Sequence, residues 1–385
     1  MKRKLNGHLI LAAVVLTLLL LCCAAASAAG VLHLPEDTTR IESQAFIGVR
    51  PSYVDFPAGI TYIASDAFGT YKSFVGLGPA GTYAANWCKN KGITYATPKY
   101  YALLIGNYEY TYQNDLDGVY WDLQAMQNTL KTLPQSWNIS VYRNQTASGI
   151  LNAIKSTFSG KNSYDHFLFY YSGHGDDSTG SSAGSLVGRD CSGYNDLVNP
   201  SQLASYLNTY AAGKVIVLLD SCGSGSYVYP NGEEPEETSP KNFTQAVTSA
   251  FAAYNTDDGN LPNTGELLNT NKFTVLTACA HGQTSSGAYL GVEDGEVWLY
   301  DGSVFTYGLV QCLGCSYPYG TYSGYMPADS NGDRKISLAE AYYGIHYYKV
   351  YIDNLYAPYA DYPGEPWSEQ IVQMSGNPNS AIFSR

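Results

Sequence analysis

Two short polar motifs carry the residues best suited to covalent chemistry. Tyr171-Ser172-Gly173-His174-Gly175 continues an apolar run, Phe167 to Tyr171. Asp220-Ser221-Cys222-Gly223-Ser224-Gly225 follows another, Val215 to Leu219. Apolar runs of this length, bounded by turn residues, read as buried parallel strands. In an open α/β sheet, sites form beyond the carboxyl ends of the strands. Two adjacent strands would therefore bring His174 and Cys222 to one sheet edge. A thiol beside an imidazole suits nucleophilic acyl transfer: the thiolate attacks a carbonyl carbon and the imidazole carries the proton. The backbone N–H groups of Gly175 and Cys222 are candidate donors to the developing oxyanion. The flanking glycines permit close backbone approach. Singly, a buried cysteine or a hydrogen-bonded histidine is more often structural; their joint placement at strand ends argues for catalysis.

The rest of the pattern from Tyr101 onward supplies a scaffold. Tyr101 to Ile105 and Phe273 to Ala278 read as further buried strands, and Ile139 to Tyr142 as a fifth candidate. Val119, Leu123, Met126, Leu130 and Leu133 form a helical stripe, as do Ile150, Leu151, Ile154 and Phe158. Asn199-Pro200 is an N-cap and first-turn pair. Strands alternating with helices predict an α/β domain with a mostly parallel sheet flanked by helices. An acidic, polar stretch at 227–271 reads as an insertion between two strands, with a helix from Phe243 to Tyr254.

The two motifs resemble the catalytic motifs of caspase-like cysteine peptidases, a superfamily that includes metacaspases, legumains and clostripains. Leu103-Leu104-Ile105-Gly106-Asn107-Tyr108 and Leu116 to Asp122 are similar to the start of such domains, and Val275 to Cys279 with Thr284-Ser285-Ser286 to a later segment. Asp220-Ser221 stands where caspases proper have Gln-Ala, which points to metacaspase-like or other bacterial members. The resemblance implies a cysteine endopeptidase acting on protein or peptide substrates, with Cys222 as nucleophile and His174 as base. It also implies that Asp122, Ser172 and Asp220 floor the S1 pocket. Two carboxylates there would favour Arg or Lys at P1. For Asp122, a helix-surface or dipole role is the alternative. His281, also at a strand end, reads as a pocket-lining residue or a bystander. Metacaspases often need calcium at a separate acidic site, for which Asp176, Asp177 and Asp190 are candidates. Lys241 and Lys272 are candidate points of self-cleavage.

Other features bear on location and partners. Lys2-Arg3-Lys4, an apolar run from Leu9 to Cys23 and small residues through Ala28 have the form of a signal peptide over residues 1–28. The apolar run is near the lower limit for spanning a bilayer. No stable membrane insertion is expected after cleavage, and the expected location is secreted or cell surface, in a bacterium. Net charge is −12 with no basic patch, which argues against nucleic acid. Over residues 29–98, Ile41-Glu42-Ser43-Gln44-Ala45-Phe46 recurs 22 residues later as Ile63-Ala64-Ser65-Asp66-Ala67-Phe68. This resembles bacterial surface-type leucine-rich repeats. The peptidase-like domain would then occupy residues 99–385. A different class of function is a surface binding protein that adheres through the repeats, with the second domain a silent scaffold. The survival of both His174 and Cys222 with their glycines favours catalysis.

No cofactor is required for the chemistry, but calcium has a second candidate loop. Asp329, Asn331, Asp333, Lys335, Ser337 and Glu340 fall on EF-hand-type positions, with Arg334 where glycine is usual. The competing reading is a Ser337/Glu340 capping box that opens a helix through Tyr348. Cys312-Leu313-Gly314-Cys315 is a lone C-x-x-C without the second pair a zinc site needs; a local disulfide or two separate thiols account for it.

Overall fold

A computed structural model describes residues 31–35, 38–176, 182, 184–193, 196–222, 224, 272–280, 283–364, 366–368 and 370–385. The chain forms two compact units, dividing between Pro98 and Lys99. The expected signal peptide and the expected insertion at 227–271, with its helix, lie outside the described residues, as does His281.

The first unit is built from very short strands: β1 (Val31–His33), β2 (Arg40–Ile41), β3 (Tyr53–Asp55), β4 (Tyr62–Ile63) and β5 (Val75–Leu77). Helix α1 (Tyr83–Lys91) and β6 (Thr94–Ala96) complete it. The strands form parallel ladders in which Val31 pairs with Tyr53, Tyr53 with Val75, and Arg40 with Tyr62. Each of these partners is offset by the sequence repeat. Every turn of the coil thus adds one apolar layer, and Leu32, Val54, Ile41, Ile63 and Phe68 stack into one core. Thr82 caps α1 by accepting from the Ala85 N–H, and Gly92 ends it in the left-handed region at φ 70°.

The second unit opens with β7 (Tyr100–Gly106), α2 (Asp117–Thr132), β8 (Asn138–Arg143), α3 (Ala147–Phe158) and β9 (His166–Ser172). Two short strands follow, β10 (Leu186–Val187) and β11 (Leu197–Val198), then α4 (Pro200–Tyr210), β12 (Lys214–Asp220) and β13 (Phe273–Thr277). A hairpin, β14 (Ala288–Glu293) and β15 (Glu296–Asp301), leads into α5 (Val304–Cys312). The chain ends through β16 (Lys335–Ser337), α6 (Leu338–Tyr356), β17 (Gln373–Ser375) and β18 (Ala381–Ser384).

The main sheet has the order β17-β13-β12-β9-β7-β8. All pairs are parallel except β17 on β13. The five strands read from the sequence are thus present within a residue or two, including the fifth candidate. Their near-continuous apolar character has a physical cause: both faces are covered. Leu104, Leu168 and Leu218 face Leu123, Met126 and Leu309 on one side. Leu103, Phe169 and Val217 face Ile150, Ile154, Leu203 and Leu207 on the other. Asn199 caps α4 with Pro200 in its first turn, and Ser337 and Glu340 form the capping box of α6. The edge strand β17 and the hairpin β14–β15 were not legible in the sequence. The first has only three residues, and the second carries its apolar Val292, Trp298 and Leu299 on exposed positions.

Candidate active site

The strand order places a switch point between β7 and β9, where the chain passes to the other side of β7. A crevice forms there, outside the carboxyl ends of the strands. The register pairs Ser172 of β9 with Asp220 of β12. His174 and Cys222 each lie two residues beyond that pair, so both leave the sheet at the same edge. The two loops touch: the Gly173 N–H donates to the Asp220 carbonyl at 3.2 Å. A Cβ on Gly175 would fall 2.1 Å from the Cys222 carbonyl oxygen and 3.0 Å from the Ser221 Cβ. No other residue fits at Gly175, and this close approach is why the motif needs glycine.

His174 is held through its backbone and its ring. Its backbone N–H donates to the Tyr110 hydroxyl at 2.8 Å, and its carbonyl accepts from the Tyr171 hydroxyl at 3.0 Å. The Tyr110 ring lies 4.7 Å from the imidazole, centre to centre. The imidazole Nε2 is 2.8 Å from the Asn114 carbonyl oxygen. A carbonyl can only accept, so this contact places the proton on Nε2 and leaves Nδ1 of the neutral ring as the acceptor. The loop that supplies Asn114 and Tyr110 is itself tied down. Asp115 accepts from the Tyr110 N–H, and Asn144 accepts from the N–H groups of Tyr108 and Glu109. Burial pushes the Tyr110 phenol well above its usual range, so it stays protonated.

Asp122, Ser172 and Asp220 come together behind this edge, all three buried. The Ser172 hydroxyl donates to Asp122 Oδ2 at 3.3 Å. Asp122 Oδ1 accepts from the Tyr317 hydroxyl at 2.8 Å and from the Ser303 N–H at 2.9 Å. Asp220 Oδ1 accepts from the Ser285 hydroxyl at 3.0 Å. Its Oδ2 accepts from the Thr306 hydroxyl at 2.6 Å and from the Ser303 hydroxyl. Burial, then repulsion from Asp220, raises the Asp122 pKa well above the carboxylate range. Burial raises that of Asp220. Neutral hydroxyl and amide donors are the partners the structure gives these two acids. The surface or dipole alternative for Asp122 therefore does not hold: it points inward from α2 and is 1% exposed.

Sequence reasoning missed Asn114, Tyr110, Ser303, Thr306 and Tyr317. A backbone carbonyl such as that of Asn114 has no sequence signature, because every residue carries one. Ser303 did leave a signal, a serine directly before an apolar helical run, and it caps α5 by accepting from the Thr306 N–H.

The other candidates fall elsewhere. Lys272 sits at the amino end of β13, away from Cys222. Its carbonyl accepts from the Val215 N–H, and its ammonium, pulled down to about 8 by burial, is held by Asn208. Cleavage there would require the sheet to open. Cys312 and Cys315 are buried and not bridged to each other, and Cys315 Sγ lies 3.1 Å from an Arg385 guanidinium nitrogen. In the Asp329 loop, Arg334 adopts the left-handed conformation expected of glycine, at φ 62°. The Asp329 carboxylate accepts from the N–H groups of Gly332, Asp333 and Arg334. Both Glu340 oxygens are occupied, one by Ser330 and the other by Ser337. Asp176 is half-buried and Asp190 exposed, while Asp177 lies outside the described residues. Among the described residues, no group of three or more His, Cys, Asp or Glu side chains is arranged to hold a metal. Nor, among them, is any helix long and apolar enough to cross a membrane.

The chain belongs to the caspase-domain family, whose model matches residues 99–323. That span holds His174, Cys222 and the acid pair, and ends before the Asp329 loop. No match was found among curated proteins. Among solved structures, a crystal structure of a protein from Geobacter sulfurreducens is similar, at 18% identity and a TM-score of 0.39. It covers 75% of this chain and 97% of its own.

Proposed function

We propose that this protein is a secreted cysteine endopeptidase of the caspase family that cleaves after Arg or Lys. The single observation that carries the reading is the contact of His174 Nε2 with the Asn114 carbonyl, which puts the ring proton on Nε2 and leaves Nδ1 as the basic nitrogen. Nδ1 takes the thiol proton of Cys222. The thiolate adds to the scissile carbonyl carbon, and the displaced electron pair moves to oxygen, where the N–H groups of Gly175 and Cys222 receive it. Collapse breaks the C–N bond, and the imidazolium returns its proton to the leaving amine. Water then hydrolyses the thioester with His174 again as base. Asp122 and Asp220, with Ser172, form the base of S1, where an incoming cationic side chain would favour their ionised form. The first unit is a leucine-rich-repeat fragment of the surface-protein type. A calcium ion at the Asp329 loop would displace the hydrogen bonds of Glu340.

Cleavage of a peptide library by wild type, Cys222→Ala and His174→Ala tests the reading. Wild type should cut after Arg and Lys, and both variants should lose at least about a thousandfold in kcat/KM. Undiminished cleavage by Cys222→Ala, or wild-type cleavage after Asn or Asp, would sink it.

A further inference from the structure

We propose that Ser303 is a positioning residue that makes S1 selective for Arg over Lys; this rests on the reading of Asp122 and Asp220 as the S1 acids. Ser303 stands at the amino end of α5, directly after the β14–β15 hairpin. Among the described residues it alone places a polar group on each acid: its N–H donates to Asp122 Oδ1 and its hydroxyl to Asp220 Oδ2. The same oxygen accepts from the Thr306 N–H at 2.8 Å, which fixes the hydroxyl rotor toward Asp220. The distance between the two carboxylates, which come from α2 and β12, is thereby set by a single residue on a third element.

The remaining valence of the acids gives the selectivity. An ionised carboxylate offers about four lone-pair sites. Asp122 uses three, on Ser172, Ser303 and Tyr317. Asp220 also uses three, on Ser285, Ser303 and Thr306. Among the described residues, these hydrogen bonds leave about one acceptor site on each acid. Two sites on two rigidly spaced carboxylates suit a planar fork whose N–H groups point apart at fixed angles. A guanidinium supplies that fork, whereas an ammonium is a compact point charge that gains little from the spacing. Loss of the Ser303 hydroxyl leaves Asp220 on Ser285 and Thr306 and removes its tie to the residue that also holds Asp122, so the fork loses its match.

The test compares kcat/KM for a pair of peptides differing only in Arg or Lys at P1. Wild type should prefer Arg by about tenfold or more. Ser303→Ala should lose about tenfold on Arg, through KM, and no more than about threefold on Lys, so that the preference collapses. Ser303→Thr, which keeps the hydroxyl and the cap, should restore it. If alanine weakens the α5 cap too far for folding, Ser303→Gly takes its place, because glycine is a tolerated N-cap that also lacks the hydroxyl. Equal losses on Arg and Lys would reduce Ser303 to a structural cap and overturn the assignment. A wild type that cleaves equally after both removes the Ser303 role but keeps the S1 acids. A wild type that cleaves after neither removes both.

Discussion

The protein holds two groups of acidic side chains that solve the same electrostatic problem in opposite ways. Asp122 and Asp220 are buried, and their donors come from β9, α5 and the segments around Ser285 and Tyr317, far away in the chain. Asp329, Asp333 and Glu340 lie at the surface or half-buried, and their donors are N–H and hydroxyl groups within about one turn of chain, Ser330 excepted. The first group resists ionisation, whereas Glu340 in the second favours it. For Glu340, burial raises the pKa, but the hydrogen bonds from Ser337 and Ser330 outweigh it and the net shift is downward. Local turns satisfy charge cheaply. Two acids buried side by side cost stability once ionised, and on the proposed reading a cationic ligand offsets that cost.

The sharpest break in this contrast is Asp122→Asn. The amide keeps the shape and removes a buried acid whose ionisation is opposed by desolvation and by Asp220. Cleavage after Arg should fall on the order of a hundredfold, about 2.7 kcal/mol in transition-state binding. At neutral pH the variant should nonetheless be more stable than wild type by about 1 kcal/mol or more in denaturant unfolding. A variant that loses activity and stability together would make Asp122 a structural residue.

The next effect is on the pH dependence of stability. The folded-state pKa values of Asp122 and Asp220 lie above their unfolded values, so the folded chain binds protons that the unfolded chain releases. Their favourable contribution is complete below the unfolded value near 3.8 and is lost as pH rises through the folded values. Glu340 has the reverse sign: its contribution is present above the unfolded value near 4.5 and is lost as pH falls through the folded one. Thermal unfolding from pH 3.5 to 8 should therefore show Asp122→Asn overtaking wild type as pH rises. Glu340→Gln should fall behind wild type over the same range. Parallel curves for the two variants would erase the distinction between the groups.

The smallest effect belongs to the exposed loop. Glu340→Gln should cost below about 1 kcal/mol at pH 7, because the side chain is partly solvated. It should leave cleavage of an Arg peptide within about twofold. Calcium at millimolar concentration should raise the wild-type Tm and not that of Glu340→Gln if the ion takes the place of the cap. No shift in either protein would leave the capping box as the whole role of the motif.

Much of this was legible before any fold was drawn. The apolar runs ending in Gly-His-Gly and Ser-Cys-Gly placed His174 and Cys222 just beyond two strand ends, because a strand covered on both faces is apolar until it leaves the sheet. The acid at 220 was legible for the same reason, as the last residue of its strand. The helix caps at Asn199 and Ser337 were equally plain, since an N-cap is decided within four residues. Arg334 was read as a departure from the EF-hand pattern, yet it adopts the backbone conformation of the missing glycine.

What sequence alone determined, then, is chemistry set by near neighbours: the strand ends, the caps, the 22-residue repeat and the residue types at the site. Tertiary structure alone decided the direction of the His174 ring, through the Asn114 carbonyl, and the burial of the acid pair under Ser303, Thr306 and Tyr317. The division has a physical cause. Local hydrogen bonds depend on spacing along one chain segment, which a sequence displays directly. The environment of a buried charge depends on segments up to 195 residues apart, brought together only when the sheet and its helices have packed.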